Sequence, residues 1–244
     1  MTELSRVERT ADPNALRRRI TCALLFFAAR HVPVPFLDDI LRTQISTYLV
    51  RRTVSKAGLA VSNERLAPLC AKDESFLMGC LMALLRIPLK LILFPIRAFT
   101  NVLFLVRHVG RDFAEMFLLG EVLERGIDAQ LIRSGEAEDA PQIARSQQMR
   151  RAFDRALKET DTQLLWGMVS VAVGPIRGLF PAARRALRTL WSGSEDEALE
   201  KSTEMQTQVS AVERALLQPE VKRFLAEFDQ RYEMALRDEA APKA

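Results

Sequence analysis

Residues 75–111 read SFLMGCLMALLRIPLKLILFPIRAFTNVLFLVRHVGR. This segment is strongly apolar, yet it contains five basic residues and neither Asp nor Glu. On a helix that advances by 100° per residue, six of its polar positions fall within about 80° of one another. They are Arg86, Lys90, Arg97, Asn101, His108 and Arg111. The pattern predicts an apolar helix that carries a narrow basic stripe.

Two prolines lie on the side of this helix opposite the stripe. Pro88 and Pro95 each remove a backbone hydrogen-bond donor and clash with the preceding turn. Because the two prolines are seven residues apart, their bends add in nearly the same direction. We therefore predict a long, proline-kinked apolar helix at the centre of the molecule.

We consider three environments for such a helix: across a bilayer, in the membrane interface, or in the core of a soluble bundle. Crossing a bilayer requires about 18 or more apolar residues, whereas the longest uncharged run in the segment, residues 75–85, has 11. A helix lying in the membrane interface would bury its apolar face among acyl chains and leave its basic stripe at anionic headgroups. The absence of acids favours this second environment. The alternative is the core of a soluble bundle, with the Arg and Lys side chains extending to water.

Residues 163–194 have the same composition, with four basic residues and no acid. The tripeptide at residues 95–97, Pro-Ile-Arg, recurs at residues 175–177, and Trp166 and Trp191 flank the apolar part as interfacial anchors do. The longest uncharged run here, residues 162–176, begins one residue before this segment and has 15 residues, which is also short of a bilayer span. We predict that this segment lies beside the first on one surface.

These patterns assign two groups of contact residues. The predicted lipid headgroup-binding residues are Arg86, Lys90, Arg97, Arg107, Arg111, Arg177, Arg184 and Arg188. The predicted apolar membrane-contact residues are Leu91, Ile92, Phe94, Phe99, Phe104, Leu105 and Trp166.

The composition indicates an all-α, multi-helix bundle. The 244 residues include 10 Gly and 2 Tyr, and apolar residues recur at helical spacing. The net charge of +4 is small, but the charges are segregated: residues 112–139 hold eight acids and two bases. We predict a basic, apolar side and an acidic, solvated side, as on a cytoplasmic protein that binds the inner face of a membrane. Three cysteines without metal-ligand spacing indicate buried free thiols.

The chain divides at one polar segment. Residues 1–12 are predicted to be a flexible tail, residues 13–133 an N-terminal helical lobe, residues 134–141 (SGEAEDAP) a linker, and residues 142–244 a C-terminal helical lobe. The two lobes are also compatible with packing as one domain. Residues 195–237 are predicted to form a C-terminal hairpin, which would pack back on the protein or contact a protein partner or a second copy.

Local signals place several helices. The line Leu16, Ile20, Leu24 and Phe27 predicts an amphipathic first helix. A helix is predicted over residues 35–57, ended by Gly58, and a short one from Ser62. Gly126 is predicted to stop the helix that follows residue 111, and Pro219 to open the last helix.

The motifs of common catalytic sites are missing from the sequence. There is no phosphate-binding glycine loop, no HExxH or CxxC, and no GxSxG, and the two histidines, His31 and His108, are far apart. We therefore predict a non-enzymatic protein with no cofactor and no metal.

The arginine clusters at residues 17–19, 51–52, 150–151 and 184–185 are not interleaved with stacking aromatics. We interpret the clusters as solvated faces, and nucleic-acid binding is disfavoured.

Overall fold

The computed structural model describes residues 13–29, 37–70, 111–134, 139–165, 167 and 203–241. Of the residues described, 87% are helical and none lies in a β-strand. The predicted all-α multi-helix bundle is confirmed for this part of the chain. The predicted kinked helix, with Pro88 and Pro95, lies outside the described residues.

Three helices come first: α1 (Pro13–Ala29), α2 (Leu37–Lys56) and α3 (Asn63–Cys70). The end of α2 is a Schellman motif, in which the Leu59 amide donates to the Val54 carbonyl at 3.2 Å and the Gly58 amide donates to Ser55 at 3.0 Å. Gly58 has a φ of 74°, which glycine adopts without a Cβ penalty. The predicted end of this helix at Gly58 therefore has a local cause.

The next helix, α4, is described from residue 111 to residue 128. It continues two residues beyond the stop predicted at Gly126, and Gln130, with a φ of 55°, takes the left-handed position after it. Gly126 is buried, and a Cβ added there would collide with the end of the Met149 side chain. The prediction at Gly126 was wrong because this glycine provides space for a neighbouring helix.

Three long helices follow, α5 (Asp139–Lys158), α6 (Thr203–Leu216) and α7 (Pro219–Ala240), and residues 162–165 and 167, between α5 and α6, are also helical. The start of α5 lies within the segment 134–141 that the sequence predicts as a linker. Pro219 is the first residue of α7, as predicted. The apolar face of α7 packs on α5, where the rings of Phe153 and Phe228 meet edge to face with centroids 6.1 Å apart.

Further helix contacts lie between neighbouring helices and between helices from opposite ends of the chain. α1 packs on α2 and on α6, α3 packs on α2 and on α5, and α6 contacts α7. Helices from the predicted N-terminal and C-terminal lobes therefore contact each other directly.

Two helices are buried on nearly all faces. Every residue of α1 from 18 to 29 except Thr21 is buried, and so is every residue of α4 from 112 to 120. The prediction of an amphipathic α1 was wrong, because Cys22 and Leu25, which lie off the predicted apolar line, are buried as well. The last ten residues of α1, ITCALLFFAA, carry no charge, and a helix that is apolar all round is stable only when enclosed.

Candidate functional site

The predicted lipid-contact residues fall almost entirely outside the described chain. Arg111 is the first described residue of α4, and it is exposed. The others lie outside the described residues: Arg86, Lys90, Leu91, Ile92, Phe94, Arg97, Phe99, Phe104, Leu105, Arg107, Trp166, Arg177, Arg184 and Arg188.

Several arginines of the predicted solvated clusters are buried instead. Arg18, Arg19 and Arg150 have relative exposures of 5%, 7% and 4%. Their neighbours in sequence behave as predicted, because Arg17 and Arg151 are exposed. The interpretation of the described clusters as solvated faces was wrong for these three arginines, and the cluster at residues 184–185 lies outside the described residues. Adjacent residues of a helix point about 100° apart, so Arg150 can face the core while Arg151 faces water.

The first group of charges joins α1, α4 and α7 around the buried Arg19, and we call it the Arg19 cluster: Arg19 with the half-buried Glu121, Glu124, Arg125 and Asp229. Arg19 forms a close ion pair with Glu121, and its Nε lies 3.6 Å from Oε1 of Glu124. Arg125 pairs closely with Asp229 of α7, and its Nε lies 3.5 Å from Oε1 of Glu121. Each guanidinium thus bridges carboxylates, and the chain of pairs ties three helices together.

Burial shapes the electrostatics of the Arg19 cluster. Desolvation lowers the pKa of Arg19, although the nearby Glu124 carboxylate opposes this shift. Desolvation raises the pKa of Asp229 despite the attraction of Arg125. The Arg19 side chain occupies space left by the missing Cβ of Gly120, because a Cβ added at Gly120 would be 2.7 Å from Cγ of Arg19.

The second group, which we call the Arg150 cluster, consists of Arg150, Leu69, Glu115 and Asp154. Arg150 Nε and Nη2 both lie 3.1 Å from the Asp154 carboxylate, one turn later in α5. Arg150 Nη2 lies 3.6 Å from Oε1 of Glu115 in α4, and Nη1 donates a hydrogen bond of 3.3 Å to the Leu69 carbonyl at the end of α3. One guanidinium therefore contacts three helices.

Two further pairs fix neighbouring helices. Arg42 of α2 donates to Asp112 of α4 at 3.0 Å, and its Cζ lies 4.2 Å from the centre of the Phe26 ring in α1. Arg65 of α3 pairs closely with Asp139 in the first turn of α5, where a carboxylate also suits the helix dipole.

These pairs correct the predicted acidic, solvated side for four acids of residues 112–139. Within residues 112–139, Asp112 and Glu115 are buried and Glu121 and Glu124 are half-buried, because each faces an arginine of another helix. Sequence reasoning missed these inward-facing pairs. One signal was available: these acids interrupt the apolar run that follows residue 111, a position where a carboxylate requires a partner.

In both clusters, guanidinium and carboxylate groups from different helices lie opposite each other and neutralise each other's charge. Within the described ranges, no three His, Cys, Asp or Glu side chains converge as metal ligands would. Cys22 is buried, as predicted, and Cys70 is half-buried with a pKa raised by desolvation. The third cysteine, Cys80, lies outside the described residues.

A partly open cavity of about 250 Å³ lies where the α4–α5 connection meets α5 and the end of α7. Its lining includes Gln130, Arg133, Arg145, Met149 and Leu236. Arg133 Nε donates to the Gln130 carbonyl at 2.8 Å, so this guanidinium is already engaged locally. Separately, none of the described helices combines the length and apolar character that crossing a bilayer requires.

Comparisons of this chain with protein-family models, with curated proteins and with solved structures found no match.

Proposed function

We propose that the protein associates peripherally or monotopically with anionic membranes through residues 81–111 and 166–188, and acts there by binding rather than by catalysis. The observation that carries the proposal is the basic stripe of the first segment, which is surrounded by apolar residues and free of acids. Anionic phospholipid headgroups provide the negative charge that the stripe lacks within its own segment. An anionic surface of this kind is the cytoplasmic face of a membrane, where we place the protein.

The charge balance of the described body supports this proposal. Eight carboxylates in the described chain are buried or half-buried, and each lies within 4.0 Å of an arginine of the described helices. They are Asp112, Glu115, Glu121, Glu124, Asp154, Glu213, Asp229 and Glu239. If the basic stripe were enclosed in the core, its cations would also need buried anions, because an unpaired buried charge is strongly unfavourable. The carboxylates that the described helices bury are already paired.

The exposure of Arg111 also supports the proposal. It is the last residue of the stripe, and it lies at the surface although the next nine residues of α4 are buried. A stripe that ends in an exposed guanidinium can reach phosphate groups outside the protein.

The two groups of contact residues have different roles. Arg86, Lys90, Arg97 and Arg177 would contact headgroups, each contributing about 1 kcal/mol near an anionic surface. The apolar residues would enter the acyl region: Leu91, Ile92, Phe94, Phe99, Phe104 and Leu105. Because headgroup attraction is electrostatic, binding weakens as salt is added.

Vesicle co-sedimentation tests the proposal. We expect the protein to sediment with vesicles that contain phosphatidylserine and to remain in the supernatant with vesicles of phosphatidylcholine alone. The double variant Arg86→Glu with Lys90→Glu should weaken binding by at least about 2 kcal/mol, because two attractive charges become repulsive.

The matched control reverses two exposed arginines of α7, Arg223→Glu with Arg237→Glu, whose side chains are 84% and 79% exposed. This control changes the net charge by the same amount and should retain binding. Equal recovery in the supernatant with both vesicle types would overturn the proposal and favour the alternative, a soluble helical scaffold or protein-interaction module. Equal loss of binding in both double variants would show that net charge matters and the stripe does not.

A further inference from the structure

We infer that Arg150 is a positioning residue, which holds the end of α3 and the beginning of α4 together and so fixes where residues 71–110 leave and rejoin the described body. The consequence for membrane contact rests on the proposed function. The placement of the two helix ends does not.

The geometry that carries the inference is a single guanidinium shared between the two ends. Arg150 Nη1 donates to the carbonyl of Leu69, the last residue but one of α3, at 3.3 Å. Arg150 Nη2 lies 3.6 Å from the carboxylate of Glu115, within five residues of the beginning of α4 as described. The two ends are separated by 40 residues of chain, numbers 71–110, and both are fixed by one side chain.

Arg150 is well suited to hold a fixed position. Its side chain is 4% exposed, and Asp154 contacts it through both Nε and Nη2 from the same helix. Its Cζ also lies 5.4 Å from the centre of the Phe153 ring. The planar fork of a guanidinium donates in several fixed directions, which a lysine cannot reproduce.

The carbonyl of Leu69 is a natural target for this cation. The last four carbonyls of a helix have no amide partner within the helix, and they carry the negative end of its dipole. A buried arginine near that end satisfies one of these carbonyls and neutralises part of the dipole. The contact with Leu69 uses Nη1, whereas Nη2 lies between the carboxylates of Asp154, at 3.1 Å, and Glu115, at 3.6 Å, so the contacts at the two helix ends use different nitrogens.

Fixing the two ends would assist membrane contact through preorganisation. A segment whose two ends are held at a fixed separation loses less conformational entropy on binding a surface than a segment whose ends move relative to each other. The effect requires no contact between Arg150 and lipid.

Hydrogen exchange measured by mass spectrometry on the full chain tests the inference. In Arg150→Lys, which keeps the positive charge opposite Glu115, we expect amides at the end of α3 and in the first turns of α4 to exchange about tenfold faster, which corresponds to loss of one charge-assisted hydrogen bond. Amides of α7 should be unchanged. If the Arg150→Met variant folds, exchange should increase more at the same two helix ends. If Arg150→Met does not fold, the exchange rates of Arg150→Lys alone test the inference.

The control is the adjacent residue. Arg151 is 43% exposed and pairs with Glu239 of α7 at 2.8 Å, so Arg151→Met should leave both helix ends unchanged. Unchanged exchange at both ends in Arg150→Lys overturns the inference, and so does a uniform increase across all helices, which would indicate a general loss of stability.

Vesicle binding separates this inference from the proposed function. If the wild-type chain binds phosphatidylserine vesicles, Arg150→Lys should bind them more weakly and Arg151→Met should bind them as wild type does. If Arg150→Lys binds as wild type does although its two helix ends exchange faster, the membrane consequence is overturned. If the wild-type chain does not bind, the proposed function fails, and the exchange result still decides whether Arg150 holds the two ends.

Discussion

Arg42 Nη2 donates a hydrogen bond of 3.0 Å to Oδ1 of Asp112, although the two residues are 70 positions apart in the chain. The Asp112 side chain is 4% exposed, so its carboxylate is removed from water and depends on partners within the protein. The same guanidinium lies over the ring of Phe26. One arginine of α2 therefore connects α1 and α4.

We expect Arg42→Ala to lower the free energy of unfolding by about 3 kcal/mol, because it takes away a partner of a buried charge. Urea unfolding followed by circular dichroism measures the change. The control is Arg223→Ala, which removes an arginine that is 84% exposed and should change stability by less than about 0.5 kcal/mol. Similar small effects in both variants would contradict a structural role for the Arg42–Asp112 pair.

Gly120→Ala should also destabilise the protein. Its Cβ would be 2.7 Å from Cγ of Arg19 and 2.8 Å from Cδ, within a buried contact between α1 and α4. Such overpacking lowers stability by about 1–3 kcal/mol. Gly167→Ala is the matched control, because nothing lies within 4 Å of its added Cβ and alanine favours a helix. Thermal unfolding of the two variants should therefore shift in opposite directions.

The Arg19 cluster predicts a pH dependence with a definite sign. Desolvation raises the pKa of Asp229 in the folded protein, against the attraction of Arg125 and Arg19 and with a smaller contribution from Glu233. An acid whose pKa is raised on folding binds its proton more tightly in the native state. Its contribution to stability is therefore complete below the pKa of the unfolded chain, about 3.9, and is lost as the pH rises through the higher folded pKa.

Asp229→Asn should abolish this contribution. We expect the unfolding free energy of Asp229→Asn, measured in urea across the acidic range, to increase relative to that of wild type as the pH rises. If the unfolding free energy of wild type increased relative to that of the variant instead, the attraction of Arg125 would outweigh desolvation and the pKa of Asp229 would be lowered.

Tyr232 offers a substitution that should not destabilise. Its hydroxyl oxygen is buried and has no hydrogen-bond partner among the described residues, and burial raises the pKa of its phenol. The ring stacks on Phe228 with centroids 6.5 Å apart, a contact that phenylalanine would keep. We expect Tyr232→Phe to leave the unfolding free energy unchanged or to raise it by about 1 kcal/mol. A clear loss of stability would mean that the hydroxyl does bond within the protein.

The helix class and several helix ends were predictable because their causes are local. Gly58 ends α2 through a left-handed turn, and Pro219 begins α7 where its missing amide is not needed. Both effects act within one helical turn. The stop predicted at Gly126 was misplaced because that glycine responds to Met149, a residue of a different helix.

The candidate membrane-contact residues follow from composition, and for them the sequence supplies the charge pattern alone. The absence of acids from residues 75–111 can be read directly, and Arg111 is exposed as a headgroup contact requires. The remaining contact residues stay predictions, because they lie outside the described helices.

What the sequence determined by itself is therefore the helical class, the ends set by glycine and proline, and the segregation of basic and apolar residues. What only the tertiary structure decided is which charges are buried. Arg150 faces the core and Arg151 faces solvent, although both belong to the same basic cluster. Arg19 pairs with Glu121, which is 102 residues away in the chain. The reason is physical: a helix sets the direction of each side chain, but the opposing carboxylate and the loss of water that strengthens the pair exist only after distant helices pack together.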